Sequence, residues 1–478
     1  MYTPPHPCSP DPSVVFLVLG GEGPASAAWL ETDTAVMSYA ATFNAAVIQL
    51  EHRFYGNSQP FGDLSTEHLG YLSSRQALAD ANAFVQNYVF STFGADAKVI
   101  SFGGSYSGAL SAWLRQQYPT SIYGAIATSA PILARENFVE YQEVVATSLK
   151  STANGPDCVS AIEAATRDIG TRLNTTAGLA ALSQRFNTCK PIVDSAVEVS
   201  NFMSSLASSF DGVVQYNDDN REFEHPGSPP PIDMSAVCAT LAGSPDPGAA
   251  YTKAQDSINN FTGSCFDVSY AGFIAEMQNT SLQSDVAGGS RQWVWQTCTE
   301  FGYYQSSDGA QQPFGSDFPI GFSTAQCTAI YGVPEAAIAT AVANTNQHYG
   351  GLAYTGTRVL FVNGDVDPWH ALSMPPKPAG DFNGINSVMI QGTAHCANMY
   401  PASPKDVPGL TKARTTITDA IKQWVTSPAP PPPPPTPPKC FPAGCVPDGI
   451  KKKFAKKDCC SDDGKRDDAC KGSHWRCQ

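Results

Sequence analysis

The chain has 478 residues, of which 42% are hydrophobic and 10% aromatic, and its formal net charge is -14 at pH 7. This composition excludes a disordered chain and predicts a globular protein with a large core, and the acidic charge argues against nucleic-acid binding. No apolar run reaches 18 residues, so the sequence predicts no transmembrane segment.

Cysteine content and glycosylation sequons indicate the compartment. The sequence has 14 cysteines and carries N-x-[ST] sequons at Asn174, Asn260 and Asn279, a combination typical of the secretory pathway. We therefore expect a glycoprotein that is secreted or delivered to a lysosome or vacuole. The first residues, MYTPPHPCSPDPS, lack the basic and apolar segments of a signal peptide, which predicts that this chain begins downstream of its natural start.

Residues 1–130 alternate apolar, β-branched runs with helical patterns. The predicted strands are VVFLVL (14–19), AAVIQL (45–50), KVISF (98–102) and YGAIATSA (123–130), with helical patterns between them. Strands that alternate with helices indicate a parallel sheet with helices on its faces, which is the α/β class.

The rhythm changes over residues 131–345, where Ala-, Ser- and Asn-rich helical segments carry cysteines and all three sequons. This pattern is typical of an inserted, mainly helical cap domain. Over residues 346–426 the sheet pattern resumes with TRVLFVNGD (357–365) and INSVMIQGTAH (385–395), and GLTKARTTITDAIKQWV (409–425) predicts a closing helix. We interpret the first and third segments as two parts of one sheet.

The C-terminal residues differ in kind from the rest. The proline run at 427–439 predicts an extended linker. Residues 440–478 carry six cysteines spaced C-x4-C-x13-CC-x9-C-x6-C, in an order that resembles cystine-knot miniproteins, and we predict a small basic module held by three disulfides. Its KKKFAKK segment has two open interpretations, binding to an acidic or glycan surface and plain solvation.

A candidate nucleophile lies in ISFGGSYSGALSAW (100–113). A nucleophile elbow needs small residues around the serine, because strand and helix pass close together at a strained turn. Gly103 precedes Ser105 by two residues, and Ser107 stands where the usual G-x-S-x-G pattern has its second glycine. The alternative is a plain Gly/Ser turn, but the position between a predicted strand and a predicted helix favours the elbow.

Candidates for the base and the acid follow in the expected chain order. In such hydrolases each comes just past a later strand, and here Asp365 and Asp367 follow TRVLFV while His395 follows SVMIQ. We predict that His395 takes the Ser105 proton while an aspartate holds its tautomer. Spacing alone hardly distinguishes Asp365 from Asp367 as the catalytic acid. His370 is a weaker alternative because it lies in the acid's own loop.

The oxyanion hole requires two backbone N–H donors. We expect one from Tyr106, directly after the nucleophile, and one from the loop after the first long strand, around Gly21 and Glu22. Glu22 has a second open interpretation, binding to a charged end of the substrate.

The segment EHRFYG (51–56) suggests a metal site, because Glu51 and His52 are adjacent. Neighbours on an extended segment point to opposite sides, and no HExxH or Cys/His spacing accompanies them. We therefore predict no metal and no cofactor, and we assign Glu51 and Arg53 to structural pairing.

Five segments together resemble a known family. GGEGP (20–24), EHRFYGNSQPF (51–61), GGSYSGALSAW (103–113), WQTCTEFGYYQS (295–306) and NGDVDPW (363–369) are similar to the serine exopeptidases that include lysosomal prolyl carboxypeptidase, dipeptidyl peptidase II and thymus-specific serine protease, with most likeness to the last. The resemblance implies an α/β-hydrolase fold with a helical cap, and it places the catalytic acid on the aspartate before Pro-Trp, which is Asp367.

The same resemblance implies further roles. It places Trp369, Tyr303 and Ala109 around a bound proline ring, and aromatic faces suit that flat ring. It also implies three cap disulfides, which are Cys158–Cys238, Cys189–Cys265 and Cys298–Cys327. Whether Cys8 and Cys396 pair is left open.

We therefore predict a serine exopeptidase that cleaves peptide bonds next to proline through an acyl-enzyme intermediate. Two alternatives remain: an esterase or lipase on the same fold, and an inactive binding protein anchored by its tail. The expected partners are peptides with proline near one end. The choice between carboxypeptidase and dipeptidyl aminopeptidase, and between monomer and homodimer, stays open.

Overall fold

A computed structural model describes residues 2–3, 13–31, 33–218, 232–259, 264–377 and 380–426. The proline-rich linker, the six-cysteine module, Cys8 and Asn260 lie outside the described residues, so the predictions made for them stay predictions.

Among the described residues, seven strands form one central sheet in the order β1-β3-β2-β4-β5-β8-β9. β1 pairs antiparallel with β3, and every other pair in this sheet is parallel. Two further strands, β6 and β7, form a small parallel pair. The strands are β1 Tyr2–Thr3, β2 Val14–Leu19, β3 Ala46–Leu50, β4 Lys98–Gly104, β5 Gly124–Thr128, β6 Arg135–Asn137, β7 Gly302–Tyr304, β8 Val359–Gly364 and β9 Ile385–Ile390.

The helices cover both faces of this sheet and fill the segment between β5 and β8. They are α1 Ala35–Phe43, α2 Thr66–Leu69, α3 Ser74–Phe84, α4 Phe90–Phe93, α5 Tyr106–Gln117, α6 Glu140–Lys150, α7 Gly155–Leu173, α8 Thr176–Arg185, α9 Ala196–Gln215, α10 Met234–Leu241, α11 Pro247–Asn259, α12 Tyr270–Met277, α13 Ser290–Gln296, α14 Ile320–Tyr331, α15 Glu335–Tyr349 and α16 Pro408–Thr426. In the described parts of the chain, none of these helices is both long enough and apolar enough to span a bilayer.

Strand β2 shows why the sequence forms a sheet covered on both sides. All six of its side chains are buried, and alternate residues face opposite layers of the core. Val15 and Leu17 pack into the layer that continues into the helical segment, whereas Val14 and Phe16 pack into the layer that contains α16. Apolar runs of this kind are typical of parallel strands buried on both faces. The sheet has the α/β-hydrolase arrangement that the sequence predicted.

The insertion between β5 and β8 contains α6 to α15 and the pair β6–β7. It is mainly helical, as predicted, but the two short strands were not predicted from the sequence. Three residues each, they are too short to give a recognisable alternating pattern. Their pairing, Arg135 with Gly302, joins the beginning of the insertion to a segment far along the chain.

Candidate active site

Ser105 lies on a sharp turn between β4 and α5. Its φ of 59° and ψ of -131° are a backbone conformation that L-residues rarely adopt, and its N–H donates to Thr128 O at 3.0 Å. Two nearby glycines permit the turn, because a Cβ on Gly103 would lie 2.0 Å from Ser107 O and one on Gly108 would lie 2.4 Å from Thr128 O. The strained serine remains partly exposed. Local sequence and tertiary contacts together hold it in this conformation.

Ser107 has a function in this turn beyond small size. Its Oγ donates to Gly104 O at 2.8 Å and accepts from Gly104 N at 3.0 Å. By size alone, serine is an acceptable replacement for the second glycine of the usual pattern. The structure shows instead that its hydroxyl ties the residue before Ser105 to the first turn of α5.

Asp367 and His395 form a buried pair at the ends of two strands. Asp367 follows β8 and His395 follows β9; their exposed side-chain fractions are 0% and 4%, and His395 Nδ1 lies 2.9 Å from Asp367 Oδ1. The same oxygen accepts from Trp369 N at 3.0 Å, which fixes the carboxylate in the turn. Asp365 instead accepts from Gly392 N, and His370 Nδ1 contacts Asp367 O. Of the alternatives considered, the structure therefore places Asp367 beside His395.

The Ser105 turn and the His395 loop are in direct contact. A Cβ on Gly104, the residue before Ser105, would lie 2.8 Å from the sulfur of Cys396, the residue after His395. Cys396 N also donates to Ser129 Oγ, at the end of β5. The Cys396 thiol is buried and forms no disulfide within the described part of the chain. The nucleophile, acid and base candidates thus follow β4, β8 and β9 at the carboxyl edge of one sheet, in which β5 lies between β4 and β8.

Electrostatics at this edge affect two titratable groups. Burial by itself lowers the pKa of His395, but the charge of Asp367 and the neighbouring Cys396 outweigh it and raise that pKa well above 6.5. Burial raises the pKa of Glu22, and the proximity of His395 opposes part of that rise. Glu22 therefore lies within electrostatic reach of the candidate base.

The two proposed oxyanion donors flank the Ser105 turn. Gly21 lies in the loop after β2, where a Cβ would be 3.6 Å from Ser107 N. Tyr106 begins α5, and its buried hydroxyl lies 3.1 Å from His52 Nε2 and accepts from Gln296 Nε2 at 2.9 Å. Neither contact was predicted from the sequence. Only the tertiary fold brings His52 and Gln296 together, since they are 244 residues apart in the chain.

A cavity of about 250 Å³ lies beside the acid loop. Trp369 and Tyr303, both predicted to contact substrate, line it together with Trp293, and the rings of Trp369 and Tyr303 meet edge to face with centroids 5.3 Å apart. Ala109 differs from the expectation: it is 0% exposed in α5 and is not among the residues that line this cavity. Ala109 therefore offers no surface to a substrate in this structure.

Comparison with known proteins identifies the family of this chain. Residues 6–417 match the family model described as serine carboxypeptidase S28. The chain belongs to the serine carboxypeptidase S28 family. It is similar to thymus-specific serine protease of Mus musculus (35% identity, covering 86% of this chain and 80% of that protein) and of Homo sapiens (34%, 86% and 79%). It is also similar to lysosomal Pro-X carboxypeptidase of Homo sapiens (28%, 86% and 81%). The chain is accordingly a serine peptidase.

In this S28 peptidase, the structure joins the six cap cysteines in the pairs that the resemblance implied. The disulfides among the described residues are Cys158–Cys238, Cys189–Cys265 and Cys298–Cys327. Two of the predicted glycosylation residues, Asn174 and Asn279, have exposed side chains on the insertion.

Glu51 and Arg53 do not pair with each other. Arg53 forms a two-point ion pair with Asp80, with Nε to Oδ2 at 2.6 Å and Nη2 to Oδ1 at 2.7 Å. Glu51 Oε1 instead accepts from Ala25 N at 3.0 Å, which holds the loop after β2. Within the described residues no group of three or more His, Cys, Asp or Glu side chains is arranged to hold a metal ion.

Proposed function

We propose that this S28 peptidase cleaves peptide bonds next to proline through Ser105, His395 and Asp367. The observation that carries the proposal is the buried 2.9 Å contact between His395 Nδ1 and Asp367 Oδ1, at the same sheet edge as the strained turn of Ser105. With Nδ1 engaged by the carboxylate, Nε2 of a neutral His395 is left to accept a proton.

The mechanism follows from those positions. His395 Nε2 removes the proton from Ser105 Oγ as that oxygen attacks the substrate carbonyl, and it returns the proton to the leaving amine. Asp367 stabilises the imidazolium that forms. The N–H of Tyr106 and an N–H near Gly21 would stabilise the negative oxygen of the tetrahedral intermediate. Water then attacks the acyl-enzyme, with His395 again acting as the base.

Proline preference rests on the cavity beside the acid loop. Its walls include the rings of Trp293, Tyr303 and Trp369, and aromatic faces hold a flat ring well. The name of a relative supports the same preference, since the human protein at 28% identity is called a lysosomal Pro-X carboxypeptidase.

We further propose that the protein works in a secretory or lysosomal compartment as a glycoprotein. Three disulfides lie in the described part of the insertion, and such bonds persist in oxidising compartments. Exposed Asn174 and Asn279 are available for glycosylation there.

Covalent labelling tests the triad. An organophosphonate should modify Ser105, as located by peptide mass, and Ser105→Ala should abolish both labelling and turnover. The tripeptide Ala-Pro-Phe then tests specificity, because cleavage after proline releases Ala-Pro and Phe whichever chain end the enzyme recognises. Variants of this peptide with a blocked amino or carboxyl end identify that end. Labelling at another residue, or hydrolysis of esters without cleavage of any proline peptide, would contradict the proposal.

A further inference from the structure

The cavity beside the acid loop has a polar side as well as an aromatic one. Helix α9 contributes Ser204, Ser208 and Asp211 to its lining, and α6 contributes Gln142. The three α9 residues are spaced by four and three positions, so they lie on one face of that helix.

Two acceptor oxygens on the polar side have no hydrogen-bond partner among the described residues. Gln142 Nε2 donates to Asp211 Oδ2 at 2.9 Å, but Asp211 Oδ1 and Gln142 Oε1 form no hydrogen bond with any described residue. Both side chains are almost fully buried, with exposed fractions of 5% for Asp211 and 1% for Gln142. A buried acceptor without a donor costs free energy, and a buried carboxylate without a cation costs more. Two such acceptors, on residues that line one cavity, therefore point to a ligand rich in donors.

The polar side is also close to the catalytic residues. Asp211 precedes Gln215 by one helical turn, a rise of about 6 Å. Gln215 O accepts from His395 N at 3.0 Å, and Gln215 Oε1 accepts from Trp369 Nε1 at 3.0 Å. One helical turn is comparable to the length of two extended peptide residues, about 7 Å. A group bound at Asp211 would therefore lie one helical turn from the residue that contacts both His395 and Trp369.

We propose that Asp211 and Gln142 bind an ammonium group of the peptide substrate and so select substrates that carry one near the cleaved bond. The inference rests on the proposed peptidase function and specifies its substrate class. An ammonium group has three donors and no acceptor, which complements the two unpartnered oxygens. Its positive charge would pair with Asp211, which forms no ion pair with a described residue.

The protonation behaviour of Asp211 agrees with this geometry. Burial raises the pKa of Asp211 to about 7, against a smaller opposing effect of the hydrogen bond from Gln142. A bound cation would favour the ionised carboxylate and lower that pKa. Other titratable side chains near Asp211 are Tyr141 and Tyr251, on the neighbouring helices α6 and α11, and neither supplies a positive charge.

Four tripeptides distinguish the two sources of an ammonium group. Ala-Pro-Phe and its N-acetylated form differ only in the α-amino group, while acetyl-Lys-Pro-Phe and acetyl-norleucine-Pro-Phe differ in the side-chain amine. We expect the wild-type kcat/KM to be higher for one ammonium-bearing peptide than for its neutral counterpart. Asp211→Asn should lower kcat/KM for that peptide about 10- to 100-fold, mainly through KM, and should change the neutral peptide by less than about twofold.

Matched variants separate this role from a structural one. Asp256→Asn makes the same chemical change at an exposed position of α11 and should leave all four rates unchanged. An unchanged rate of Ser105 labelling by the organophosphonate would show that Asp211→Asn is folded. Equal losses for charged and neutral peptides, or wild-type hydrolysis that ignores the ammonium group, would overturn the inference. Loss of the preference in Glu22→Gln but not in Asp211→Asn would also overturn it. If wild-type protein neither cleaves a peptide nor reacts with the phosphonate, the proposed function fails instead.

Discussion

The proposed catalytic residues follow strands of the central sheet, whereas most residues of the proposed substrate site belong to the helical insertion. Ser105, Asp367 and His395 follow β4, β8 and β9, three strands of the sheet. The insertion supplies Asp211, Gln142 and Tyr303 to the neighbouring cavity and holds all three disulfides of the described residues. The proposed roles thus assign the reaction chemistry to the regular sheet and the substrate choice to an insertion that is held by disulfides.

The largest expected effect separates the two aspartates of the acid loop. Asp367→Asn should lower kcat on the order of 10⁴-fold, because the amide cannot hold the tautomer of His395 or stabilise its cation. Asp365→Asn is the matched control, since its Oδ1 only accepts from Gly392 N and an asparagine oxygen can do the same. We expect it to retain kcat within about threefold. Similar losses in both variants would mean that the sheet edge is sensitive to any change of charge.

A second prediction concerns the stability of the insertion. Cys158→Ala with Cys238→Ala opens a crosslink between α7 and α10 that spans 80 residues. We expect the free energy of unfolding to fall by about 3 to 5 kcal/mol, as measured in urea.

The Cys298–Cys327 crosslink provides the comparison, because it spans only 29 residues. If chain entropy dominates, its removal should cost roughly 1 kcal/mol less than removal of Cys158–Cys238. A larger loss from the shorter crosslink would show that local packing, not loop length, governs the insertion. In both variants, organophosphonate labelling below the unfolding transition should still reach Ser105.

The same comparison explains what could be predicted from the sequence. The six principal strands were predictable because parallel strands buried on both faces need continuous apolar runs, as in VVFLVL of β2. Ser105 and His395 followed from their places after such strands. Asp367 could be chosen over Asp365 only through the family resemblance, because both aspartates follow the same strand and differ only in which partner the folded loop presents.

The polar side of the cavity could not be predicted in that way. Asp211 lies in an amphipathic helix where an aspartate usually indicates a solvated face, and nothing in the local pattern shows that it is buried against Gln142 of α6. Likewise, His52 and Gln296 meet at Tyr106 only in the folded chain. Side chains that meet only in the folded chain follow no periodic pattern in the sequence. Their contacts therefore cannot be predicted from hydrophobic periodicity.

The pH dependence of hydrolysis tests the electrostatics of the sheet edge. His395 must be neutral to accept a proton, and its pKa is raised above 6.5 by Asp367. We therefore expect kcat/KM to rise about tenfold per pH unit below that pKa and to level off above it, with the rising limb above pH 6.5. In Asp367→Asn, the residual kcat/KM should rise over a lower pH range, because the charge that raises the pKa of His395 is removed. A wild-type limb well below pH 6.5 would mean that burial of His395 outweighs the charge of Asp367.

The smallest expected effect concerns Ser107, where the structure changes an expectation drawn from size alone. If only a small residue were needed, Ser107→Gly would leave activity largely intact. Because the Ser107 hydroxyl bonds both Gly104 O and Gly104 N, we expect Ser107→Gly and Ser107→Ala each to lower the free energy of unfolding by about 1 to 2 kcal/mol.

Both Ser107 variants should also lower kcat/KM, by less than about tenfold, because the turn that presents Ser105 loses a fixed neighbour. Thermal unfolding and peptide hydrolysis on the two variants measure these losses separately. The alanine variant removes the hydroxyl with little change in backbone freedom, so it isolates the two hydrogen bonds from the flexibility that glycine adds. Wild-type stability and activity in Ser107→Ala would mean that β4 and α5 alone hold Ser105 in its strained conformation and that the Ser107 side chain does not contribute.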